Sequence, residues 1–227
     1  NKDAIRRRKA GAIFIQEHKL KGKALKETTE YFKGEGWDLK CGPCDESTKK
    51  PNAGVGVLTD EGSKIKTIKA EILTDDFRKW VEAGRAGKFE LDLGWEQNLQ
   101  VIVIYGKSGG SKRAIRMTEA FIDAARQEVA AGHYLATMLV GDLNANPEKL
   151  KSVKEMINND QWTDVGKHAS WWGGRDEEPT CQPRPKATPT RIDAILANKG
   201  ALAWIKGFKV IEAEGIPTHK VLQIKLR

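Results

Sequence analysis

Apolar positions along this chain recur with two different periods, and the switches between them mark its elements. Residues 135–140 form a nearly continuous apolar run ending at Gly141, the pattern of a buried strand. Residues 12–15, 37–40, 54–58 and 99–104 read as further strands, and residues 64–73 alternate apolar and charged, as a half-exposed strand does. Residues 162–165, 191–197, 208–213 and 221–226 complete the strands. Helical spacing is expected over residues 2–10 and over residues 22–33, the second stopped by Gly34 and Gly36. Asp75 or Asp76 is expected to cap a short helix carrying Phe77, Trp80 and Val81, which Gly84 and Gly87 end. Ile115, Ile122, Ala125 and Val129 mark a longer helix up to Gly132. Asn146-Pro147 has the signature of a capped helix start, with Leu150, Val153 and Ile157 as its inward stripe. No repeat or linker interrupts residues 1–227, so a single domain is expected. Consecutive strands with few helices predict an α+β fold, with sheets packed face to face and helices outside.

Composition narrows the partners. The 227 residues carry a formal net charge of +8, which favours a polyanion, although lysine excess also serves solubility. No apolar run approaches the roughly 18 residues needed to span a membrane. The first residue is Asn1, from which a fragment of a longer polypeptide or a processed product is expected. Three cysteines, an odd number, argue against a disulfide scaffold and for a reducing, intracellular setting. Cys41-Gly42-Pro43-Cys44 has the spacing of a redox motif. The polar stretch after it lacks helical periodicity, so a loop between strands is the better reading.

Strand ends carry polar residues that strands do not need. Glu17 follows Ile13-Phe14-Ile15, Asp142 and Asn144 follow Leu139-Val140, Asp193 sits in Arg191-Ile192-Asp193, and His219 precedes Val221. Residues two apart on an extended chain point to one face, so Asp142 and Asn144 can address one ligand. A carboxylate and a carboxamide there suit a phosphodiester and a hard metal ion. Each residue also has an ordinary role open to it: Glu17 as a capping acid, Asp193 paired with Arg191, His219 on the surface. The segment 166–190, rich in Pro, Gly, Trp and charge, is long enough for a functional loop.

Taken together these motifs resemble the endonuclease/exonuclease/phosphatase superfamily, and among its members most resemble the endonuclease domains of non-LTR retroelements. Gln16-Glu17-His18-Lys19 is similar to the family's metal motif, and Gly54-Val55-Gly56-Val57-Leu58 to its glycine-rich strand. Tyr105 matches its tyrosine before a turn, Gly141-Asp142-Leu143-Asn144 its Gly-Asp-x-Asn signature, and Arg191-Ile192-Asp193 its Arg-Ile-Asp strand. Pro217-Thr218-His219 stands where the family has Ser-Asp-His.

The resemblance implies a DNase I-like, four-layer α/β/β/α sandwich of two mixed, largely antiparallel sheets, here with the family's first strand missing. It implies a Mg²⁺-dependent endonuclease acting on nucleic acid, DNA first, with Mn²⁺ as a substitute ion. Glu17 would hold the metal, Asp142 would orient or deprotonate water, and Asn144 would bind a phosphate oxygen. His219, oriented by Asp193, would stabilise developing charge or act as base, and Tyr105 would donate to the phosphate or leaving oxygen. Lys107, Arg113, Arg191, Trp171 and Trp172 are candidate nucleic-acid contacts, the basic groups for phosphates and the tryptophans for bases. The tryptophans could instead cover the loop's own core. Thr218 replaces an acid that assists metal binding, so weakened metal affinity is expected, and Ser108 stands where the family commonly has an asparagine. A monomeric domain of a larger polypeptide follows from the same resemblance, nuclear if it serves a retroelement. Two rivals stay open: a phosphoinositide-type phosphatase, and a nucleic-acid-binding module without turnover.

Overall fold

The computed structural model describes residues 10–45, 51–94, 97–132, 136–212, 215–216 and 218–227. The helix expected over residues 2–10 lies almost wholly outside them. Two β-layers face each other. One is a six-stranded sheet ordered β4-β5-β6-β7-β9-β8, comprising β4 (Ile65–Thr67), β5 (Ala86–Asp92), β6 (Asn98–Tyr105), β7 (Ala136–Asp142), β8 (Thr163–Asp164) and β9 (Asp193–Ala197). The other comprises a three-stranded sheet and a hairpin. The sheet is ordered β1-β3-β2, from β1 (Ala12–Gln16), β2 (Trp37–Cys41) and β3 (Val55–Asp60). The hairpin pairs β10 (Ile205–Ile211) with β11 (Val221–Leu226). Among the described residues, β1 pairs on one side only, as an edge strand of its sheet.

The central strands explain the continuous apolar runs. On β6, Leu99, Val101, Val103 and Tyr105 enter the core between the β-layers, while Ile102 and Ile104 face helices on the other side. Both faces are dry, so alternation disappears from the sequence. The helices behind the six-stranded sheet are α2 (Asp75–Glu82), α3 (Lys112–Ala131) and α4 (Lys151–Asn159), which contribute Phe77, Phe121, Ile122, Ala125, Val153 and Met156. Helix α1 (Gly22–Gly34) covers β1-β3-β2 from outside through Phe32, packed with Trp37, Leu39 and Leu58. The order is therefore α/β/β/α, as the resemblance implied.

Strands β6 and β7 run parallel, a pairing that needs a long crossover, and α3 supplies it. The other pairings are antiparallel. Register then aligns Tyr105 with Asp142 across β6 and β7, and Asp142 with Asp193 across β7 and β9. Three candidate residues thus stand abreast at one end of the sheet.

Several expectations are corrected. The half-exposed strand over residues 64–73 shrinks to β4, followed by a 3-10 turn at Ala70–Ile72. Strand β5, where a helix stop was read, hides Lys88 against Glu128 of α3. The cap of α2 is Thr74, not Asp75 or Asp76. Its amide and hydroxyl both donate to Glu128 Oε2, at 2.8 and 2.7 Å. Asn146-Pro147 starts a 3-10 turn, and α4 proper begins at Lys151. Leu150 and Val153 are buried as expected, but the third inward position is Met156, 1% exposed, rather than Ile157, 37% exposed. Met156→Ala is expected to cost about 2–5 kcal/mol in urea denaturation, and Ile157→Ala under about 1 kcal/mol. Helix α5 (Lys199–Leu202), capped by Asn198, had no anticipated counterpart.

Candidate active site

The site forms where β1, β6 and β7 end, β9 begins and the segment before β11 crosses them. Gly141 makes the crowding possible: its φ is +143°, and a Cβ there would stand 1.9 Å from the Ile104 carbonyl oxygen. Past Asp142 the chain does not stay extended. Asn144 is left-handed at φ +52°, and its amide N–H donates to Asp142 Oδ1 at 2.8 Å. The two side chains still meet, by a turn rather than by strand alternation. Asn144 Nδ2 lies 3.2 Å from Asp142 Oδ2 and donates to the Gly106 carbonyl at 3.1 Å.

His219 Nδ1 is 3.0 Å from Asp193 Oδ2, and its Nε2 is 4.0 Å from Asp142 Oδ2. Donation from Nδ1 to Asp193 leaves Nε2 facing Asp142. Glu17, left-handed at φ +57°, follows β1 and pairs with Lys19 at 2.8 Å. The Tyr105 hydroxyl donates to the Glu17 carboxylate. Glu17, Tyr105, Asp142, Asn144, Asp193 and His219 therefore converge, drawn from four strand ends and a crossing segment.

Charge follows the geometry. Burial, then the neighbouring Asp193 and Glu17 charges, pushes Asp142 up to about 6, against the pull of the Asn144 amide and His219. The hydrogen bond to Asp193 raises His219 above its ordinary value, helped by the Asp193, Asp142 and Glu17 charges and opposed by burial. Tyr105 is raised by burial and then by the charge and hydrogen bond of Glu17, so it stays a phenol. Donor atoms of Asp142, Asp193 and His219 lie within 4.8 Å of one another. With Glu17 alongside, three carboxylates surround one imidazole. Burial and the neighbouring carboxylates that lift Asp142 are what a hard divalent cation would offset, so the residues present fit one.

The candidate substrate contacts separate. Lys107 follows Tyr105 in the loop, its amide held by Thr118 Oγ1 at 2.9 Å, and Arg113 is exposed on the first turn of α3. Trp171 is 65% exposed and stacks on His168, ring centroids 4.5 Å apart, whereas Trp172 packs against the core between the sheets. Arg191 does not reach the open face. It is buried and grips both oxygens of Asp164, at 3.0 and 2.8 Å, rather than pairing with Asp193. A cavity of about 400 Å³ beside it is lined by Asn144, Asn146, Pro189 and Ile192 among others.

Arg85 escaped the sequence reading. It is buried, its guanidinium carbon sits 4.9 Å from the Tyr105 ring centre, and its carbonyl accepts the Tyr105 N–H at 2.8 Å. No local motif announces it. Cys41 ends β2, and Gly42-Pro43-Cys44 lies in the connection to β3. Cys41, Cys44 and Cys181 form no disulfide among the described residues, and burial followed by the Cys44 charge pushes Cys41 up to about 12. His18 serves structure: its Nδ1 accepts the Leu20 N–H at 3.0 Å and its ring packs on Gly54.

No family profile and no curated protein matches the chain. Solved structures do. The AP endonuclease LMAP from Leishmania major superposes with a TM-score of 0.74 at 14% identity, covering 100% of this chain and 82% of that one. The 3′ phosphatase NExo from Neisseria, bound to a product DNA hairpin, gives 0.67 at 17% identity, covering 100% and 92%. The endonuclease domain of TRAS1, a telomere-specific non-LTR retrotransposon, gives 0.65 at 13% identity, covering 99% and 89%.

Proposed function

We propose, from the endonuclease/exonuclease/phosphatase fold that the chain has, that it is a divalent-metal-dependent phosphodiesterase that nicks DNA. The observation carrying this reading is the line Asp193–His219–Asp142, with Asn144 beside it and Glu17 and Tyr105 opposite. Asp193 fixes the imidazole ring and favours its protonated form. Protonated Nε2 can then donate to the oxygens on which charge develops during attack. Asp142 accepts the proton of the attacking water as the oxygen–phosphorus bond forms and the ester bond breaks. Both Asn144 amide hydrogens are engaged, by Gly106 and Asp142, so donation to a phosphate oxygen follows release of Asp142. Tyr105, kept as a phenol, becomes a donor for the phosphate or leaving oxygen once its hydroxyl turns from Glu17.

Glu17 would hold the cation, Mg²⁺ or Mn²⁺, which would polarise the phosphoryl group and steady the leaving alkoxide. Arg113 and Lys107 supply positive charge beside Tyr105, and Trp171 offers a stacking face. A monomeric domain acting within a larger polypeptide suits this reading, in the nucleus if it serves a retroelement. No helix among the described residues is long and apolar enough to cross a membrane. A second reading, a nucleic-acid-binding module without turnover, is favoured by neutral Thr218 before the histidine and by the Lys19 ammonium on Glu17.

Supercoiled plasmid discriminates them. Nicking is expected with Mg²⁺, lost in EDTA and reduced on the order of 10³-fold in His219→Ala. Binding that weakens steeply with salt while wild-type protein leaves the plasmid intact would establish the second reading instead.

A further inference from the structure

We infer that Thr180 is a positioning residue of this site, setting the backbone from which Asp193 reaches His219. The inference rests on the hydrolytic reading of the cleft. Thr180 lies in the long segment between β8 and β9, is 1% exposed and has no charge to advertise it. Its hydroxyl oxygen accepts two backbone N–H groups, those of Ile192 at 3.1 Å and Asp193 at 3.0 Å. Its carbonyl accepts the Lys220 N–H at 2.7 Å, and its own N–H donates to the Thr190 carbonyl at 3.0 Å. The next residues extend the splint: Cys181 bridges both Thr190 and His219, and the Gln182 N–H donates to the Thr218 carbonyl at 2.8 Å.

One residue therefore grips the start of β9 by its side chain and the His219 segment by its main chain. Those two segments carry the partners of the 3.0 Å Asp193–His219 contact. A hydroxyl suits the task because its two lone pairs serve two donors at once. A valine side chain in the same place has nearly the same shape and neither lone pair. Without the oxygen, the Ile192 and Asp193 amides must turn to other acceptors, and Asp193 moves with them. Misplacement of a catalytic group by about 1 Å costs on the order of 10²-fold in rate.

The test compares Thr180→Val with Thr180→Ser. Thr180→Val is expected to lower kcat for plasmid nicking by roughly 10- to 100-fold with KM within about twofold, and Thr180→Ser to stay within about threefold of wild type. The His219 Nδ1 proton resonance, downfield through its bond to Asp193, should shift in Thr180→Val and hold in Thr180→Ser. Should Thr180→Val fold poorly, Thr180→Ala removes the same oxygen without the β-branch and is read the same way. A Val or Ala variant that nicks like wild type, a Ser variant equally impaired, or an unmoved His219 resonance overturns the assignment. If wild-type protein does not nick, the hydrolytic reading falls, and the resonance alone decides whether Thr180 places Asp193.

Discussion

Asp142→Asn is expected to lower plasmid nicking by roughly 10³- to 10⁴-fold and, at pH 8, to make the protein melt higher than wild type. The two effects share one cause. Asp142 is 8% exposed and faces Asp193 and Glu17, so its pKa rises from 3.8 to about 6. A folded-state pKa above the unfolded one means that the native state holds the proton more tightly. The group's stabilising share is then complete below about pH 4 and is lost as pH rises through about 6. A shift of about two units corresponds to about 3 kcal/mol of penalty for the ionised form. Asparagine removes the charge and keeps an oxygen for the Asn144 N–H, but sets its NH₂ against that of Asn144, at a cost of about 1 kcal/mol. The remaining gain of about 1–2 kcal/mol corresponds to a rise of roughly 2–8 °C at pH 8 for a chain of this size. Calorimetry at pH 8 and pH 5 checks it. The gain should shrink at pH 5, where wild-type Asp142 is mostly protonated, and no gain at pH 8 would refute the charge strain. Nicking itself should rise through about pH 6 as Asp142 ionises and fall once His219 loses its proton, above an imidazole's ordinary range. Bound Mg²⁺ should pull the acidic limb lower.

Arg191→Met is expected to destabilise the fold by about 3–5 kcal/mol in urea denaturation. Asp164 is 2% exposed and its carboxylate meets the guanidinium through both oxygens, with the Lys167 amide adding a third donor at 3.2 Å. Removing the cation strands a buried anion, which costs more than the pair itself contributes. The double variant Arg191→Met/Asp164→Leu should recover most of the loss, because an apolar pair of similar volume carries no desolvation penalty. Its DNA affinity should keep the wild-type dependence on salt, since Arg191 neutralises Asp164 and not a phosphate. A shallower salt slope in the folded double variant would return Arg191 to the nucleic-acid surface.

What the sequence made legible was the ends of strands. Glu17, Tyr105, Asp142, Asn144, Asp193 and His219 each follow or enter an apolar run, where polarity is conspicuous, and the structure brings all six together. Partnerships between distant residues were hidden. Lys88 looks like a solvated charge until Glu128, on another element, is seen beside it, and so the sequence offers Gly87 as a helix stop and no strand over β5. The same Glu128 holds Thr74, which moved the cap of α2 away from the aspartates. Arg191 stands next to the Arg-Ile-Asp carboxylate in sequence, yet its acid is Asp164, and nothing local points there. Thr180 and Arg85 lie in segments whose composition says only loop. At α4, Leu150 and Val153 face inward as their spacing predicts, but Met156 takes the third buried position in place of Ile157, because the 3-10 turn at Pro147–Lys149 sets a helix phase that periodicity alone does not record.

Tyr105, Asp142 and Asp193 occupy matched rungs of adjacent strands. The spacing of the chemistry is therefore written in residue counts along β6, β7 and β9, and those counts have no slack. Inserting a single amino acid within β7 would swing the Asp142 side chain to the helix-covered side of the sheet and reverse every rung beyond it. The excursion between β8 and β9 can lengthen or shorten more freely, provided Thr180 returns to its place. Divergence on this scaffold should therefore collect in that excursion and spare the strand lengths.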